Sequence, residues 1–372
     1  MIRMKIEDFA LERIQSLYEN EVELNLSDSG VHPYSLKSLL TPEEIAELLE
    51  IEIGYGWTNG SDALRETIAA LYPGRGPDEV ILTNGSAEAN FLVASSLLDE
   101  GDEAIVITPN YLQILGWARA LGVDVKTSML RAAEGWRPDF DEIERLVTPK
   151  TRLISICNPN NPTGAELSRA DMDALVDIAR RHDLYLHADE VYKGSELEGD
   201  EPPSFADLYE KAIATNGLSK TMALPGLRIG WLVGPAQEIY DFWRYKDYTS
   251  ITTGALSEHI ANLVLEPARR QRILDRGKAH LRDNLALLAD WIAANQRFSL
   301  EPPKAGGMAF TAYDAPVNST ELAHAIREAK SVLVVPGDVY GLDGHLRFGI
   351  GAERATLEAG LARVADYMRN FD

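Results

Sequence analysis

The chain has 372 residues, 45% hydrophobic and 25% charged, with 36 basic against 58 acidic residues and a net charge of −22. Such a composition fits an ordinary globular protein with enough chain for two or three domain-sized units. The acidic balance argues against a nucleic-acid surface, which needs a clustered basic face. The single cysteine, Cys157, excludes an intrachain disulfide framework and fits a reducing, cytoplasmic setting.

The N-terminal stretch MIRMKIEDFALERIQSLY carries Glu7, Asp8 and Glu12 within its apolar pattern, so it reads as an amphipathic helix and not as a signal peptide. No run approaches the length of a membrane span. Strands are expected at 79–83, 104–108, 123–129, 152–157, 184–188, 212–216 and 229–234, separated by helical patterns such as AEANFLVASSLL and RADMDALVDIARRH. Near-continuous apolar strands alternating with helices predict a mostly parallel sheet covered on both faces. Beyond about residue 235 the pattern changes to a charged helical stretch (266–297), short strands (MAFTAY, SVLVVP, HLRFGI) and a closing helix, ERATLEAGLARVADYM. The expectation is an α/β protein. A three-layer α/β/α large domain (41–260) is followed by a smaller α+β C-terminal domain (261–372), on which an N-terminal segment (1–40) packs.

The segment NGLSKTMALPGLRIGW (216–231) holds the most informative chemistry. Lys220 sits among small and apolar residues, with Arg228 eight positions on. Desolvation lowers an amine's pKa, and a neutral amine can form an imine with an aldehyde. A nearby arginine suits a phosphate, which its planar fork binds bidentately. Aldehyde plus phosphate describes pyridoxal 5'-phosphate. The bland reading is a lysine at a helix cap and an arginine on the surface. The pattern Ser-Lys-x7-Arg-x-Gly-Trp resembles the cofactor-lysine motif of the class I/II aminotransferases, of pyridoxal-phosphate fold type I.

Further segments fall in the order this resemblance requires. TNGSAEAN (83–90) follows a strand and opens a helix, so Gly85, Ser86 and Ala87 can aim backbone N–H groups and the helix dipole at a phosphate, or serve only as a turn. Tyr111 follows the next strand, at the edge where open α/β sheets bind ligands, and is either a ring stacked on the pyridine or a packing tyrosine. Asn161, in NPNNPTG, matches the family's ligand asparagine. Asp189, in HADEVY, is a strand-end acid suited to the pyridine nitrogen or to a helix N-cap, and Tyr192 follows three residues on. Tyr55, in YGWTNGSDALRETIA, resembles the tyrosine that reaches the phosphate of a neighbouring subunit, which implies a homodimer with shared sites. Arg347, in HLRFGIG, matches the arginine that clamps a substrate carboxylate. There is one departure: Gly217 stands where many members carry a phosphate-binding serine, so Ser219 or Thr221 must supply that contact.

The resemblance implies transamination between an L-amino acid and a 2-oxo acid. Lys220 would hold the cofactor as an internal aldimine and then move the substrate's α-proton, giving a quinonoid carbanion. Asp189 and Tyr192 would act with it, while Arg347, Asn161, Tyr111 and Gly30 would contact the substrate. No metal is part of this expectation, and neither nucleic acid nor membrane is a partner. Two segments, LSDSGVHPYSL (26–36) and RYKDYTSIT (244–252), are similar to capreomycidine synthase, a member of the family that cyclises a hydroxylated arginine, and related arginine oxidases pass the carbanion to oxygen instead. Asp28 would then face a guanidinium and His32 act as an acid or base. Otherwise Asp28 and Ser29 are turn residues and His32 belongs to the rim. A third class, a catalytically idle binding or regulatory protein of the same fold, fits poorly with a chain that keeps Lys220, Asp189 and Arg347.

Overall fold

The structure, a computed structural model, describes residues 6–371. Its strands in chain order are β1 (Leu24–Asn25), β2 (Val80–Thr83), β3 (Glu103–Thr108), β4 (Asp124–Met129), β5 (Thr151–Cys157), β6 (Tyr185–Asp189), β7 (Ala212–Gly217), β8 (Gly230–Val233), β9 (Phe298–Leu300), β10 (Met308–Tyr313), β11 (Val332–Leu333), β12 (Val335–Pro336) and β13 (His345–Gly349). The helices that matter below are α1 (Ala10–Tyr18), α2 (Ser86–Leu97), α3 (Gln113–Ala120), α4 (Arg169–Arg181), α5 (Ala236–Lys246), α6 (Pro267–Ala294), α7 (Ser319–Lys330) and α8 (Arg354–Met368).

Seven strands form one sheet in the order β2-β8-β7-β6-β5-β3-β4, in which only β8 runs antiparallel to its neighbours. Alternation along each strand sorts side chains to two faces. On β3, Ala104 and Val106 pack with Leu92 and Val93 of α2 and Leu115 of α3, while Ile105 and Ile107 pack with Met172 and Leu175 of α4. The chain is therefore a three-layer α/β/α unit, as the apolar strands predicted. A second, antiparallel sheet, β12-β13-β10-β9, follows in the C-terminal part and packs with α6, α7 and α8. No helix among the described residues is long and apolar enough to cross a membrane.

Two expectations are corrected. The N-terminal helix begins only at Ala10, with Phe9 extended and its ring 4.9 Å edge-on from that of Tyr111, so a tertiary contact takes Phe9 out of the helix. Residues 1–5 lie outside the described residues. The run SVLVVP is two strands, because β11 pairs parallel with β1 whereas β12 joins the small sheet beside β13.

This topology explains where chemistry collects. The C-terminal ends of the parallel strands β3, β5, β6 and β7 share one edge, as does that of β2. Because β8 runs the other way, its N-terminal end, preceded by Arg228, comes to that same edge. Ligands bind at such edges in open α/β sheets.

Candidate active site

At this edge lies a cavity of about 260 Å³, lined by residues from both sheets and from α1. Of the residues singled out from the sequence, Ser86, Ala87, Tyr111, Asn161, Asp189, Tyr192, Ser219, Lys220, Arg228 and Arg347 all line it. Gly30 lies beside Lys220, since a Cβ there would sit 3.6 Å from Lys220 Cδ. Tyr55 is not brought in; it is 89% exposed on the chain's surface.

One end of the cavity suits an anion. Gly85 is the N-cap of α2 at φ 81°, and no side chain caps the helix, which leaves the first-turn N–H groups free of a capping partner. The Arg228 guanidinium packs against Gly85 so closely that any Cβ there would collide with Nη2. Arg228 makes no ion pair among the described residues; its Nη1 donates to Pro225 O (3.1 Å) and to Ser219 Oγ (3.5 Å). The departure at Gly217 has a steric cause. A Cβ there would lie 2.8 Å from Ile229 O and 3.1 Å from Gly230 Cα, so β8 approaches too closely for serine, and the hydroxyl beside Arg228 is that of Ser219.

At the other end Arg347 is 1% exposed. Its Nη1 donates to Asn161 Oδ1 (2.8 Å) and Tyr340 Oη (2.6 Å), its Nη2 donates to Ser27 O, and its Nε has no partner. No carboxylate pairs with it among the described residues. A buried guanidinium, oriented by neutral groups and left without a counter-charge, is a receptor for an anion, since an unpaired buried charge is costly.

Between these cations lie the titratable groups. Asp189 Oδ2 accepts from Asn90 Nδ2 (3.0 Å) and Oδ1 from the Val191 N–H (3.2 Å), while burial pushes its carboxyl above the ordinary value. Tyr192 Oη shares a hydrogen bond with Ser29 Oγ (2.8 Å), and burial raises its phenol strongly. Tyr111 donates to Glu12 Oε1 of α1 (2.8 Å); burial first, then that carboxylate, raise its phenol well above the usual value. Lys220 is less isolated than its sequence neighbours suggested, because its ammonium lies 3.3 Å from Asp28 Oδ1. The Lys220 charge is the main reason the Asp28 carboxyl falls to about 2, helped by the Gly30 N–H and Arg347 and opposed by burial. His32 pairs with Glu353 (3.2 Å) and is not among the residues lining the cavity.

The donor set fits pyridoxal 5'-phosphate: a helix N-terminus and arginine at one end for a phosphate, an amine for an aldehyde, a buried carboxylate for a ring nitrogen, and hydrogen-bonding side chains for the remaining polar groups. The family model of the class I and II aminotransferases matches residues 41–364. The chain belongs to that family. It is 31% identical to capreomycidine synthase of Streptomyces vinaceus over 93% of this chain and 90% of that protein. It is 27% identical to the arginine–pyruvate transaminase of Pseudomonas aeruginosa over 93% of this chain and 90% of that one. A pyridoxal-phosphate-dependent aminotransferase structure from Streptococcus suis superposes with a TM-score of 0.94 at 33% identity, covering 99% of both chains. Pyridoxal 5'-phosphate is the cofactor of this fold type I family.

This aminotransferase-family site holds four residues the sequence did not flag. Asn90 is the fourth residue after Ser86, so it faces the sheet from α2 beneath the anion end. Tyr340 lies in a short segment without a motif, Ser29 was read only as a turn residue of LSDSGVHPYSL, and Glu12 only as a polar residue of an amphipathic helix. The one available signal was helical spacing, which puts Asn90 on the same face of α2 as Ser86.

Proposed function

We propose that this chain is a pyridoxal-phosphate-dependent enzyme of L-amino acids, and that its reaction is transfer of the amino group to a 2-oxo acid. The observation that carries this is the buried Arg347, held by Asn161, Tyr340 and Ser27 in the same cavity as Lys220, with no carboxylate of its own. An α-carboxylate supplies the missing counter-charge and fixes the substrate's Cα for the proton transfer.

Ser86, Ala87, Ser219 and Arg228 would hold the phosphate, Tyr111 the ring face, Asp189 the ring nitrogen, and Asn161 and Tyr192 the phenolic oxygen; Gly85, expected among them, spends its N–H on Thr83 O (2.9 Å) and does not line the cavity. When bound, the cofactor supplies an aldehyde that condenses with amines and a ring that accepts electrons from the substrate's Cα. Lys220 is the amine for that aldehyde and, once displaced, the base that moves a proton from Cα. Asp189, kept dry and hydrogen-bonded by Asn90, favours a protonated ring nitrogen because a cation relieves its own burial. Arg347 sets the orientation.

A second reading, a cyclase or oxidase acting on a guanidino amino acid, is favoured by the acidic groups on the α1 side of the site. Asp28 is ionised and partnered by Lys220, and Glu12 is held only by a tyrosine hydroxyl. Once the aldehyde engages Lys220, Asp28 is free to pair with a cationic side chain. The relatives named for arginine and for capreomycidine support the same substrate class. Residues Ile53 (85% exposed), Tyr55 (89%), Trp57 (66%) and Tyr248 (93%) lie on adjoining segments, and that apolar surface suits a second copy of the chain.

Borohydride reduction of the cofactor-loaded protein followed by peptide mapping tests the site. A phosphopyridoxyl group on Lys220 is the expected result; a different lysine, or none, would refute the assignment.

A further inference from the structure

The segment RYKDYTSIT contains a lysine that the site described above does not use. Lys246, the last residue of α5, is fully buried with no carboxylate in ion-pair contact among the described residues. Its Nζ donates to Thr58 O (2.8 Å) and Ile251 O (2.7 Å). An amine buried at this cost is explained by the two carbonyls, which would otherwise be orphaned. Ile251 is held at φ 65°, a conformation that a β-branched residue adopts only under constraint. Lys246 therefore clamps the loop 249–252 in a turn it would not choose alone.

That loop grips the turn at the anion end from both sides. Thr249 Oγ1 and the Ser250 N–H (3.3 Å) both donate to Glu88 Oε1, in the first turn of α2. Thr252 O accepts from Asn84 Nδ2 (3.0 Å). Asn84 and Glu88 flank Gly85, whose N–H donates to Thr83 O (2.9 Å), and Ser86 and Ala87, which line the cavity's anion end. The loop's donors hold Glu88 Oε1, while Glu88 Oε2 accepts from the Asn84 N–H (2.6 Å), so the carboxylate ties the loop to the turn. Through Thr58 O, the same amine anchors the segment that carries Tyr55 and Trp57.

We infer that Lys246 is a positioning residue for the phosphate-binding turn, acting through the loop 249–252 on Asn84 and Glu88. It rests on the reading that the cavity takes pyridoxal 5'-phosphate. Both anchors, the loop and the Tyr55 segment, serve the phosphate end, so removal of the clamp weakens ligands that carry the phosphate more than those that do not.

The test compares dissociation constants of pyridoxal 5'-phosphate and of pyridoxal, which lacks the phosphate, for cofactor-free protein by equilibrium dialysis. Lys246→Met is expected to raise the first about tenfold or more and to leave the second within about twofold. Thr249→Val, which removes the hydroxyl that contacts Glu88 and Lys246 O (3.0 Å) and keeps the lysine, is the second variant, with a shift of a few-fold in the same ratio. Circular dichroism checks that each variant is folded. A folded variant of either kind that keeps the wild-type ratio overturns the inference. Equal weakening of both ligands does so too, because that is what general loosening would give. Wild-type protein that binds neither ligand would instead overturn the reading of the cavity.

Discussion

Replacing Arg347 by lysine keeps the positive charge and removes the planar fork. The guanidinium now serves Asn161 Oδ1, Tyr340 Oη and Ser27 O while leaving Nε unpartnered. One ammonium on a shorter stem cannot hold all three acceptors and also present two parallel donors to a carboxylate. The loss is at least one or two charge-assisted hydrogen bonds at roughly 1.5–3 kcal/mol each. With about 1.4 kcal/mol per tenfold, that predicts a fall in kcat/KM of at least about tenfold, and about 100-fold if two bonds are lost, for an α-amino acid. The assay pairs each amino acid with its decarboxylated amine. Wild-type protein should prefer the acid strongly, and Arg347→Lys should lose most of that preference while its activity on the amine stays near the wild-type level. A variant that keeps the full preference for the acid would refute the carboxylate-receptor argument, and another cation would then have to read that group.

Other outcomes follow from the same geometry. Asn90→Leu removes one of two hydrogen bonds to Asp189, so kcat should fall by about 10–100-fold with little change in KM, from a single charged hydrogen bond; an unchanged kcat would remove Asn90 from the account. Asp28→Asn should lower the preference for arginine over leucine by up to about fivefold in kcat/KM, as expected for loss of one partly exposed charge pair; equal effects on both substrates would contradict the role given to that carboxylate. Tyr55→Phe should loosen pyridoxal 5'-phosphate in a dimer, measured by dialysis and sedimentation, whereas tight binding by a monomer would remove the shared site. Burial raises the Glu190 carboxyl from 4.5 to about 7, so its contribution to stability is present below about 4.5 and lost as pH rises through 7. Glu190→Gln, which stays neutral, should gain up to about 3 kcal/mol relative to wild type between pH 5 and pH 8 in urea titrations; parallel stability curves would refute this.

The large sheet could be read from the sequence because its strands are buried on both faces and punctuated by helices, and every predicted strand there reappears within a residue or two. The small sheet was harder, since SVLVVP serves two partners and strand pairing is a long-range property. The cavity residues with strong local signatures, at strand ends or in glycine turns, were found directly. Asn90 and Tyr340 were not, because each acts on another side chain across the fold and has no local signature; Ser29 was read as a turn residue, and its bond to Tyr192 is a long-range one. Glu12 was hidden by a pattern that only marks helix polarity; its place on the cavity wall depends on how α1 lies over the sheet edge. The steric reason for Gly217 depends on the approach of β8 and has no trace in one dimension.

The most direct test is a half-reaction. Protein loaded with pyridoxal 5'-phosphate is mixed with single amino acids, arginine and glutamate included, without any 2-oxo acid. The account predicts, for a good substrate, one equivalent of 2-oxo acid per site with matching conversion of the cofactor to its amine form, reversed by adding a 2-oxo acid. Consumption of arginine with oxygen uptake or ring closure, and no amine form of the cofactor, would contradict transamination and establish the second reading in its place.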